Sequence, residues 1–321
     1  MQVRVVRPGE LGDTELESWR AFQRDDPTLA SPFLTPEFAL AVDGARDDTR
    51  TGVVEDDAGI PIAFFPFSTE DGSTGGPVGA SICDAQALIA RAGVECDPLV
   101  LVRGVGLDVW NFDHLVATQT AFEPFHRALH RAPTVSLADG LDAYLARVRE
   151  NSRDVLPQVA RRRRKLAREV GDVAFEWQTA DRDALDTLFD WKSTQYRETG
   201  VWDRFDQPWI VDVVRTLACT AADGVTGLLS TLRAGDHLVA LHFGLVGRDR
   251  LSWWFPVYNP EFSRYSPGLI LLLDLVAEAA TRDVTLVDLG RGEHHYKLRV
   301  ATGSYLVAEG AVRDPEVLSA T

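Results

Sequence analysis

The chain has 321 residues and is acidic, with 48 Asp and Glu residues against 33 Lys and Arg residues and a formal charge of −15. A negative electrostatic field repels nucleic acid, so we expect that the protein does not bind nucleic acid in general. Apolar residues make up 45% of the chain, as in globular proteins, and the length allows two domains with a core each. The longest apolar run, Leu269–Leu273, is too short for a transmembrane helix, so we expect no membrane partner.

Cysteine and lysine are both rare. The cysteines are odd in number and widely spaced: Cys83, Cys96 and Cys219. This spacing argues against a zinc site and a disulfide framework, and residues 1–30 contain no apolar leader, so we expect a cytoplasmic protein without a metal. Lysine supplies only three of the 33 basic residues: Lys165, Lys192 and Lys297. A lysine inside a motif is therefore less expected by chance here than in a lysine-rich chain.

Strand and helix patterns are mixed in the first part of the chain. Apolar alternation, turn residues and helix caps predict the following elements: strand Val3–Val6, helix Pro36–Val42, strands Thr51–Val54 and Ile60–Phe67, helix Cys83–Ala92, strands Val109–Phe112 and Thr134–Leu137, and helix Asp139–Arg149.

A basic amphipathic helix is predicted over Asn151–Val170. Its apolar residues recur on one face, and the run RRRRK at residues 161–165 covers most of the remainder. One interpretation is a solvated helix that joins two domains, which is the usual fate of a charge run. The other is a surface for an anionic ligand such as RNA, against which the overall acidity counts.

The order of elements becomes regular from residue 172 onward. The predicted elements are strand Val173–Trp177, helices Arg182–Tyr196 and Gln207–Ala222, strands Gly227–Arg233, His237–Val246 and Leu251–Tyr258, helix Ser266–Arg282, strand Val284–Leu289, a short helix His294–Val300 and strand Tyr305–Val312. The order β-α-α-β-β-β-α-β-α-β predicts a mixed sheet with helices on its faces, an α/β (α+β mixed-sheet) fold.

Five separated words in this region carry a resemblance to a known family. They begin with KSTQYRETGV at Lys192, HFG at His242, WFPVY at Trp254, RYSPG at Arg264 and DLGRG at Asp288, the last followed by Tyr296 and Lys297. In this order they resemble GCN5-related N-acetyltransferases (GNAT) of the CelD-like or BioF2-like subgroup, whose two GNAT-like halves are related to Fem-type peptidyltransferases. The words fall within residues 190–300.

The resemblance implies two GNAT-like domains in tandem. We predict a degenerate N-terminal domain over residues 1–138, a basic linking helix region over 139–171 and a better-formed C-terminal GNAT domain over 172–321. The resemblance of the N-terminal half is loose and concerns Asp84 and its surroundings. It implies that Asp84 is a substrate-binding residue.

The segment Arg264–Gly268 has the features of an anion site at a helix start. Ser266 suits an N-cap and Pro267 the first helical position, and an arginine precedes them. The resemblance implies that Arg264, Tyr265, Ser266, Pro267 and Gly268 bind the pyrophosphate of acetyl-CoA or another acyl-CoA. Pro267 replaces a glycine of the family pattern and donates no N–H. An ordinary capped helix also explains Ser-Pro-Gly.

His242 is a candidate general base. Strand alternation places it between the small residues Ala240 and Gly244, which leaves space beside it. Its ordinary pKa of about 6.5 suits proton acceptance at neutral pH. A satisfied core histidine fits the pattern equally well, and the resemblance favours function.

Two further pairs complete the predicted acceptor side. Trp254 and Tyr258 share one strand face, where they would line a pocket and Tyr258 would protonate the leaving thiolate. Pro256 lies between them and would help splay the sheet where, in GNAT enzymes, the pantetheine chain inserts. Lys192 and Tyr196 are four residues apart on a helix and by spacing alone form a surface pair. The resemblance implies that they lie near the acceptor site.

The segment DLGRGEHHYK, from Asp288 to Lys297, admits three interpretations. A metal site is disfavoured because adjacent histidines point in different directions, and a dinucleotide fingerprint lacks its third glycine. We interpret it as a strand end that turns at the two glycines, followed by a short helix, at the sheet edge where ligands bind. The substrate-binding candidates here are Asp288 and Arg291, and the catalytic candidates are Glu293, Tyr296 and Lys297.

The predicted function is N-acyl transfer from acyl-CoA to an amine of a small molecule or amino sugar. His242 is the expected base with Glu293 as the alternative, and Tyr258 or Tyr296 is the acid. Backbone N–H groups near Pro256 and the Lys297 ammonium would stabilise the oxyanion. The alternatives are a Fem-type transferase with aminoacyl-tRNA as donor, the one case in which nucleic acid is a partner, and a degenerate GNAT-like binding module.

Overall fold

The computed structural model of the chain describes residues 2–222 and 224–313. The end of the predicted C-terminal domain, residues 314–321, lies outside the described residues. The chain divides into two units, one made of residues up to 131 together with those from 306 on, the other of residues 132–305. In the described part, no helix combines the length and the apolar character needed to cross a membrane.

The first unit contains short helices and mostly antiparallel strands. Its elements are β1 (Gln2–Val6), α1 (Asp13–Asp25), α2 (Pro36–Asp43), β2 (Thr49–Glu55), β3 (Pro61–Thr69), β4 (Thr74–Gly76), β5 (Ile89–Ala90), α3 (Pro98–Gly104) and β6 (Val109–Val116). Strand β7 (His126–Ser136) follows and runs on into the second unit.

The sheet of the first unit has the strand order β1-β2-β3-β4-β6-β14. β14 (Gly303–Arg313) is the last described strand of the chain, and its pairs with β6 run from Val307–Val116 to Arg313–Val109. β4 and β6 are parallel, whereas the other pairs of this order are antiparallel. The sheet of this unit is therefore mixed.

The second unit begins with two helices and ends with a short one. Its elements are α4 (Gly140–Asn151), α5 (Val155–Glu169), β8 (Val173–Glu176), α6 (Arg182–Thr199), α7 (Pro208–Ala218), β9 (Ala221–Ala222), β10 (Val225–Ala234), β11 (His237–Val246), β12 (Arg250–Tyr258), α8 (Pro267–Ala279), β13 (Leu286–Asp288) and α9 (His295–Val300).

The sheet of the second unit has the order β7-β13-β12-β11-β10-β8. β12 and β13 are parallel and the other pairs of this order are antiparallel. Helix α8 connects the two parallel strands, as a parallel connection requires. The mixed α/β fold predicted from the sequence is confirmed.

The two units share one order of elements. The first runs β1-α1-α2-β2-β3-β4-α3-β6 and the second β8-α6-α7-β10-β11-β12-α8-β13, apart from the two-residue strands β5 and β9. In each, the parallel pair flanks the third helix of the order. The chain therefore contains two similar halves.

Each half has its own apolar core. In the second unit, α8 buries an aliphatic stripe with Leu271, Leu272 and Leu275 against β11 and β12. Val155, Val159 and Leu166 on α5 join the same core, as the amphipathic pattern predicted. This packing holds α5 beside the start of α8.

The predicted helix Cys83–Ala92 is wrong. The segment is extended, and Ile89 and Ala90 form β5 against β3. The Gln86 side chain accepts from the N–H groups of Asp113 and His114 at 2.9 and 3.0 Å. These hydrogen bonds to β6 replace those of a helix, so tertiary pairing overrides the local pattern.

Candidate active site

Strands β12 and β13 separate after three residue pairs. They are parallel from the Arg250–Leu286 pair to the Ser252–Asp288 pair. β13 ends there, whereas β12 continues to Tyr258. Within the described residues, the edge of β12 beyond Ser252 is therefore open on the β13 side.

Backbone groups of β12 point into this opening. The Asn259 N–H donates to the Val239 carbonyl at 3.0 Å, on the β11 side. Because backbone groups alternate in direction along an antiparallel strand, those of Pro256 and Tyr258 point to the open side. Pro256 therefore sacrifices no ladder bond to β11. Its carbonyl accepts a hydrogen bond from Nζ of Lys192 at 2.9 Å.

Lys192 is a buried lysine on α6. Its spacing from Tyr196 predicts that the two residues form a surface pair. Lys192 is only 9% exposed, so this prediction is wrong for Lys192. Nζ also donates to Oε1 of Gln195 at 2.8 Å and lies 5.1 Å from the centre of the Tyr196 ring. Burial, and then the charges of Arg204 and Lys297, lower the pKa of Lys192 to about 8.

The start of α8 lies at the far end of the open edge. Ser266 has a left-handed backbone (φ 52°) that turns the chain into the helix at Pro267. A Cβ placed on Gly268 would lie 3.6 Å from Cδ1 of Tyr258. The structure thus brings the predicted acid Tyr258 against the predicted phosphate segment.

Helix α5 supports that segment with its basic face. Arg162 donates to Oγ of Ser266, and Nζ of Lys165 lies 5.8 Å from the centre of the Tyr265 ring. The Tyr265 hydroxyl donates to Glu169 at 2.8 Å. The basic run is therefore not a uniformly solvated face, because one of its arginines contacts the N-cap of α8.

Arg264 remains on the surface of the segment. Its side chain is 65% exposed, and the guanidinium carbon lies 4.7 Å from the centre of the Tyr265 ring. The guanidinium also donates to the Tyr265 hydroxyl at 2.5 Å, and its Nη2 lies 3.7 Å from Oε2 of Glu169. Arg264 is thus placed to meet an anion that arrives from solvent.

The turn after β13 is built around Asp288 and Lys297. Asp288 accepts from the Tyr305 hydroxyl at 2.5 Å and from the Gly290 N–H at 2.8 Å. Nζ of Lys297 donates to the carbonyls of Gly290 and Arg291 at 3.1 and 3.2 Å. Both side chains are buried, and burial raises the pKa of Asp288. The predicted sharp turn after a strand end is confirmed, with Gly290 at φ 73°.

The remaining residues of this segment differ in accessibility. Arg291 is half-buried and Glu293 exposed, and both precede α9 rather than lying on it. Tyr296 is on α9, and burial raises its pKa. No cluster of three or more metal-binding side chains occurs in the described residues.

His242 occupies the space that the sequence left for a substrate. A Cβ on Gly244 would lie 2.6 Å from the imidazole ring, so the ring itself fills the room beside this glycine. The ring stacks on Trp253 at 4.3 Å and Nε2 lies 3.3 Å from the Ser252 carbonyl. Burial lowers the pKa of His242 to about 3. The expectation of open space is wrong, and the geometry does not support His242 as the base.

The last two predicted site residues are Trp254 and Asp84. Trp254 is 9% exposed and stacks on Phe255 at 4.4 Å, so it packs into the protein instead of lining an open pocket. Asp84 belongs to the first unit, whereas the other predicted site residues all belong to the second.

Sequence reasoning missed three side chains of the site. Arg162 sits in a run of five cations, and only the packing of α5 on α8 selects it. Arg204 contacts the Tyr196 ring at 5.3 Å, and Tyr305 binds Asp288. None of the three belongs to the five sequence segments that carry the family resemblance. The position of Arg204, twelve residues after Lys192, is only a weak sequence signal for a place in the site.

Comparisons with known proteins give a family match that includes the predicted site residues of the second unit. Residues 156–298 match the acetyltransferase (GNAT) domain family. No curated protein sequence matches the chain.

Solved structures share the fold along almost the whole chain. FemX has a TM-score of 0.65 and 10% identity, over 100% of this chain and 99% of its own. A tandem GNAT protein from the clavulanic acid biosynthesis pathway has a TM-score of 0.55 and 10% identity, over 97% and 98%. The C-terminal domain of a putative lysylphosphatidylglycerol synthetase from Agrobacterium fabrum has a TM-score of 0.55 and 12% identity, over 95% and 94%.

At these identities the similarities show the fold alone. They confirm the predicted mixed α/β fold with two GNAT-like halves. The family match covers the basic helix, the open edge of β12 and the turn after β13. Residues 156–298 of the chain are thus similar to the acetyltransferase (GNAT) domain family.

Proposed function

We propose that the protein is an N-acyltransferase that moves an acyl group, most simply acetyl, from acyl-CoA to an amine of a small molecule or amino sugar. The observation that carries this proposal is the open edge of β12, which ends beside the first turn of α8. Exposed backbone groups of a strand edge pair readily with an extended chain of amides. The helix start at the end of that edge favours an anion.

The residues at the start of α8 fit a pyrophosphate by charge. Pro267 has no N–H, so this turn offers fewer backbone donors than a glycine-rich loop. Arg162 contacts Ser266, Arg264 precedes it by two residues, and both supply a permanent positive charge. The absent side chain of Gly268 leaves room beside Tyr258.

The other site residues take the remaining roles in this proposal. A bound thioester supplies an activated acyl carbonyl. The Tyr258 N–H on the open edge and the Lys297 ammonium stabilise the oxyanion, and the Tyr258 or Tyr296 hydroxyl protonates the leaving sulfur. Asp288, Arg291 and Tyr196 form the acceptor wall.

Ligand-dependent stabilisation tests the donor. Acetyl-CoA at 100 times its Kd stabilises the folded state by about 2.7 kcal/mol, which raises the Tm by several degrees. Arg162→Gln should weaken this response. Arg149→Gln, an exposed arginine on α4, is the matched control for loss of one positive charge. An unchanged Tm at an acetyl-CoA concentration of about 1 mM, which is about 1000 times a micromolar Kd, would exclude the CoA proposal.

The second candidate is a transferase that uses aminoacyl-tRNA. The exposed arginines of α5, Arg161, Arg164 and Arg168, favour this donor. Binding to tRNA would weaken steeply as salt rises because counterions are released from the phosphates. A salt-dependent tRNA complex without any acetyl-CoA shift would favour this candidate, and the absence of both complexes would favour a binding module.

A further inference from the structure

The buried cations near β12 are lysines, although almost all other basic residues of the chain are arginines. Lysine supplies three of 33 basic residues, yet Lys192 and Lys297 are the two that lie buried at 9% and 7% exposure. An arginine stays charged at any physiological pH, whereas a buried lysine can lose its proton. The choice of lysine at the opening of β12 therefore allows proton transfer there.

The hydrogen bonds of Lys192 match its neutral form. Nζ has two acceptors among the described residues, the Pro256 carbonyl at 2.9 Å and Oε1 of Gln195 at 2.8 Å. A neutral amine has two N–H groups and one lone pair, so these acceptors satisfy both donors and leave the lone pair for a proton. The Pro256 carbonyl lies on the open side of β12, which places this amine at the proposed acyl site.

The charges around Lys192 also favour the neutral form. Arg204 contacts the same Tyr196 ring as Lys192, at 5.3 Å, and Lys297 acts on Lys192 from α9. Nearby carboxylates are engaged elsewhere: Asp203 accepts from Ser193 and Arg197, and Asp288 from Tyr305 and Gly290. The other carboxylates of α6 and the adjoining turn are exposed: Asp183, Asp186, Asp190, Glu198 and Asp206.

The strands that pack on α6 add no opposing charge. On β11 the titratable groups are His237, the first residue of the strand, and His242, which burial keeps neutral at physiological pH. On β12 they are Arg250, the first residue of the strand, and the Tyr258 phenol, at the end of the open edge. None of these groups is an anion, and the neighbouring charges that lower the pKa of Lys192 are those of Arg204 and Lys297.

We propose that Lys192 is the general base of acyl transfer and takes a proton from the acceptor amine. This inference rests on the proposed acyltransferase function. Nζ accepts one proton from the acceptor ammonium, and the freed amine attacks the acyl carbonyl carbon. The C–N bond forms as the C–S bond breaks, and the sulfur leaves with the bonding electron pair and takes a proton from Tyr258, while the new amide nitrogen releases its second proton to solvent. Lys192 releases its proton to solvent, which also reprotonates Tyr258.

Direct titration tests whether Lys192 is able to act in this way. Lysine-selective ¹⁵N labelling gives three side-chain NMR signals, each assigned by one substitution. We expect the Lys192 signal to titrate with a pKa of about 8 and to shift to higher pH in Lys297→Met, which removes a neighbouring cation. A Lys192 signal that titrates at its ordinary value near 10.5 overturns the proposal.

Rate measurements test whether it does act in this way. Thiol release from acetyl-CoA is followed with a panel of amino acids, polyamines and amino sugars. Lys192→Arg keeps the charge but cannot release the proton, so we expect the rate to fall about 100-fold or more, with acetyl-CoA affinity retained. Lys192→Met provides the same test if the larger arginine is not tolerated. Wild-type rates in both variants overturn the proposal.

The two proposals fail in different ways. The NMR titration needs no acyl-CoA, so an ordinary Lys192 titration together with acetyl-CoA binding contradicts the base assignment alone. Absence of acetyl-CoA binding contradicts the proposed function, whatever the titration shows. In the active enzyme, we expect the rate to rise with pH to a plateau above pH 8, and this limb to vanish in Lys192→Met.

Discussion

Replacing Lys192 by methionine should change how stability depends on pH. The pKa of Lys192 is about 8 in the folded protein against an ordinary 10.5, and each unit corresponds to about 1.4 kcal/mol. The buried charge therefore costs the folded state about 3 kcal/mol. Between these two pKa values the unfolded chain binds more protons than the folded one, so stability rises with pH across the window. The deficit is complete below pH 8 and absent above pH 10.5.

Urea unfolding of the wild type and Lys192→Met at pH 7, 8.5 and 10 measures this deficit. The difference between the two proteins cancels the titration of distant groups. We expect the methionine variant to lose about 2 kcal/mol relative to wild type between pH 7 and pH 10. Lys192→Arg is the control, because neither arginine nor methionine titrates in this range. A wild-type to methionine difference that does not change with pH would refute the reasoning.

Three further predictions concern His242 and the glycines of the site. Because burial lowers the pKa of His242 to about 3, the wild type should lose stability as pH falls from about 6.5 towards 3. His242→Gln should flatten that acid limb in urea unfolding. Gly244→Ala should cost about 2–3 kcal/mol because its Cβ would lie 2.1 Å from the Ser252 carbonyl. Gly76→Ala is the control: its Cβ would meet no atom of the described residues within 4 Å, so the free energy of unfolding should change by less than about 0.5 kcal/mol. Gly268→Val should weaken acetyl-CoA binding about 10-fold or more in calorimetry with little change in Tm, since among the described residues its Cβ meets only Tyr258, at 3.6 Å.

Much of the second unit could be predicted because its patterns are long and its caps are clear. The predicted strand His237–Val246 agrees with β11 at both ends. Helix Ser266–Arg282 is three residues too long at its C-terminal end, where no glycine marks the stop. The sequence predicts the first unit less completely: its patterns do not indicate helices α1 and α3, and the Cys83–Ala92 segment pairs with strands. Short elements depend on their partners more than on their own pattern.

The sequence predicts which segments form the candidate site, but not which of its side chains are buried. Strand alternation correctly separates His242 from Phe243, yet it cannot show that the imidazole fills the room above Gly244. Lys192 likewise has the spacing of a surface residue and becomes buried only because α6 packs on β12. Both cases depend on a neighbouring element, whose position no local pattern contains.

The return of β14 to the first unit has a consequence for how the protein is made. β6 is complete once residue 116 has been synthesised, but its partner β14 spans Gly303–Arg313. During translation the first unit therefore waits through most of the chain with the edge of β6 uncovered. An uncovered strand edge is a template for pairing between chains. A chain cut short between residues 298 and 303 would lack β14 and be prone to aggregate, although it contains the whole of the GNAT-matched segment.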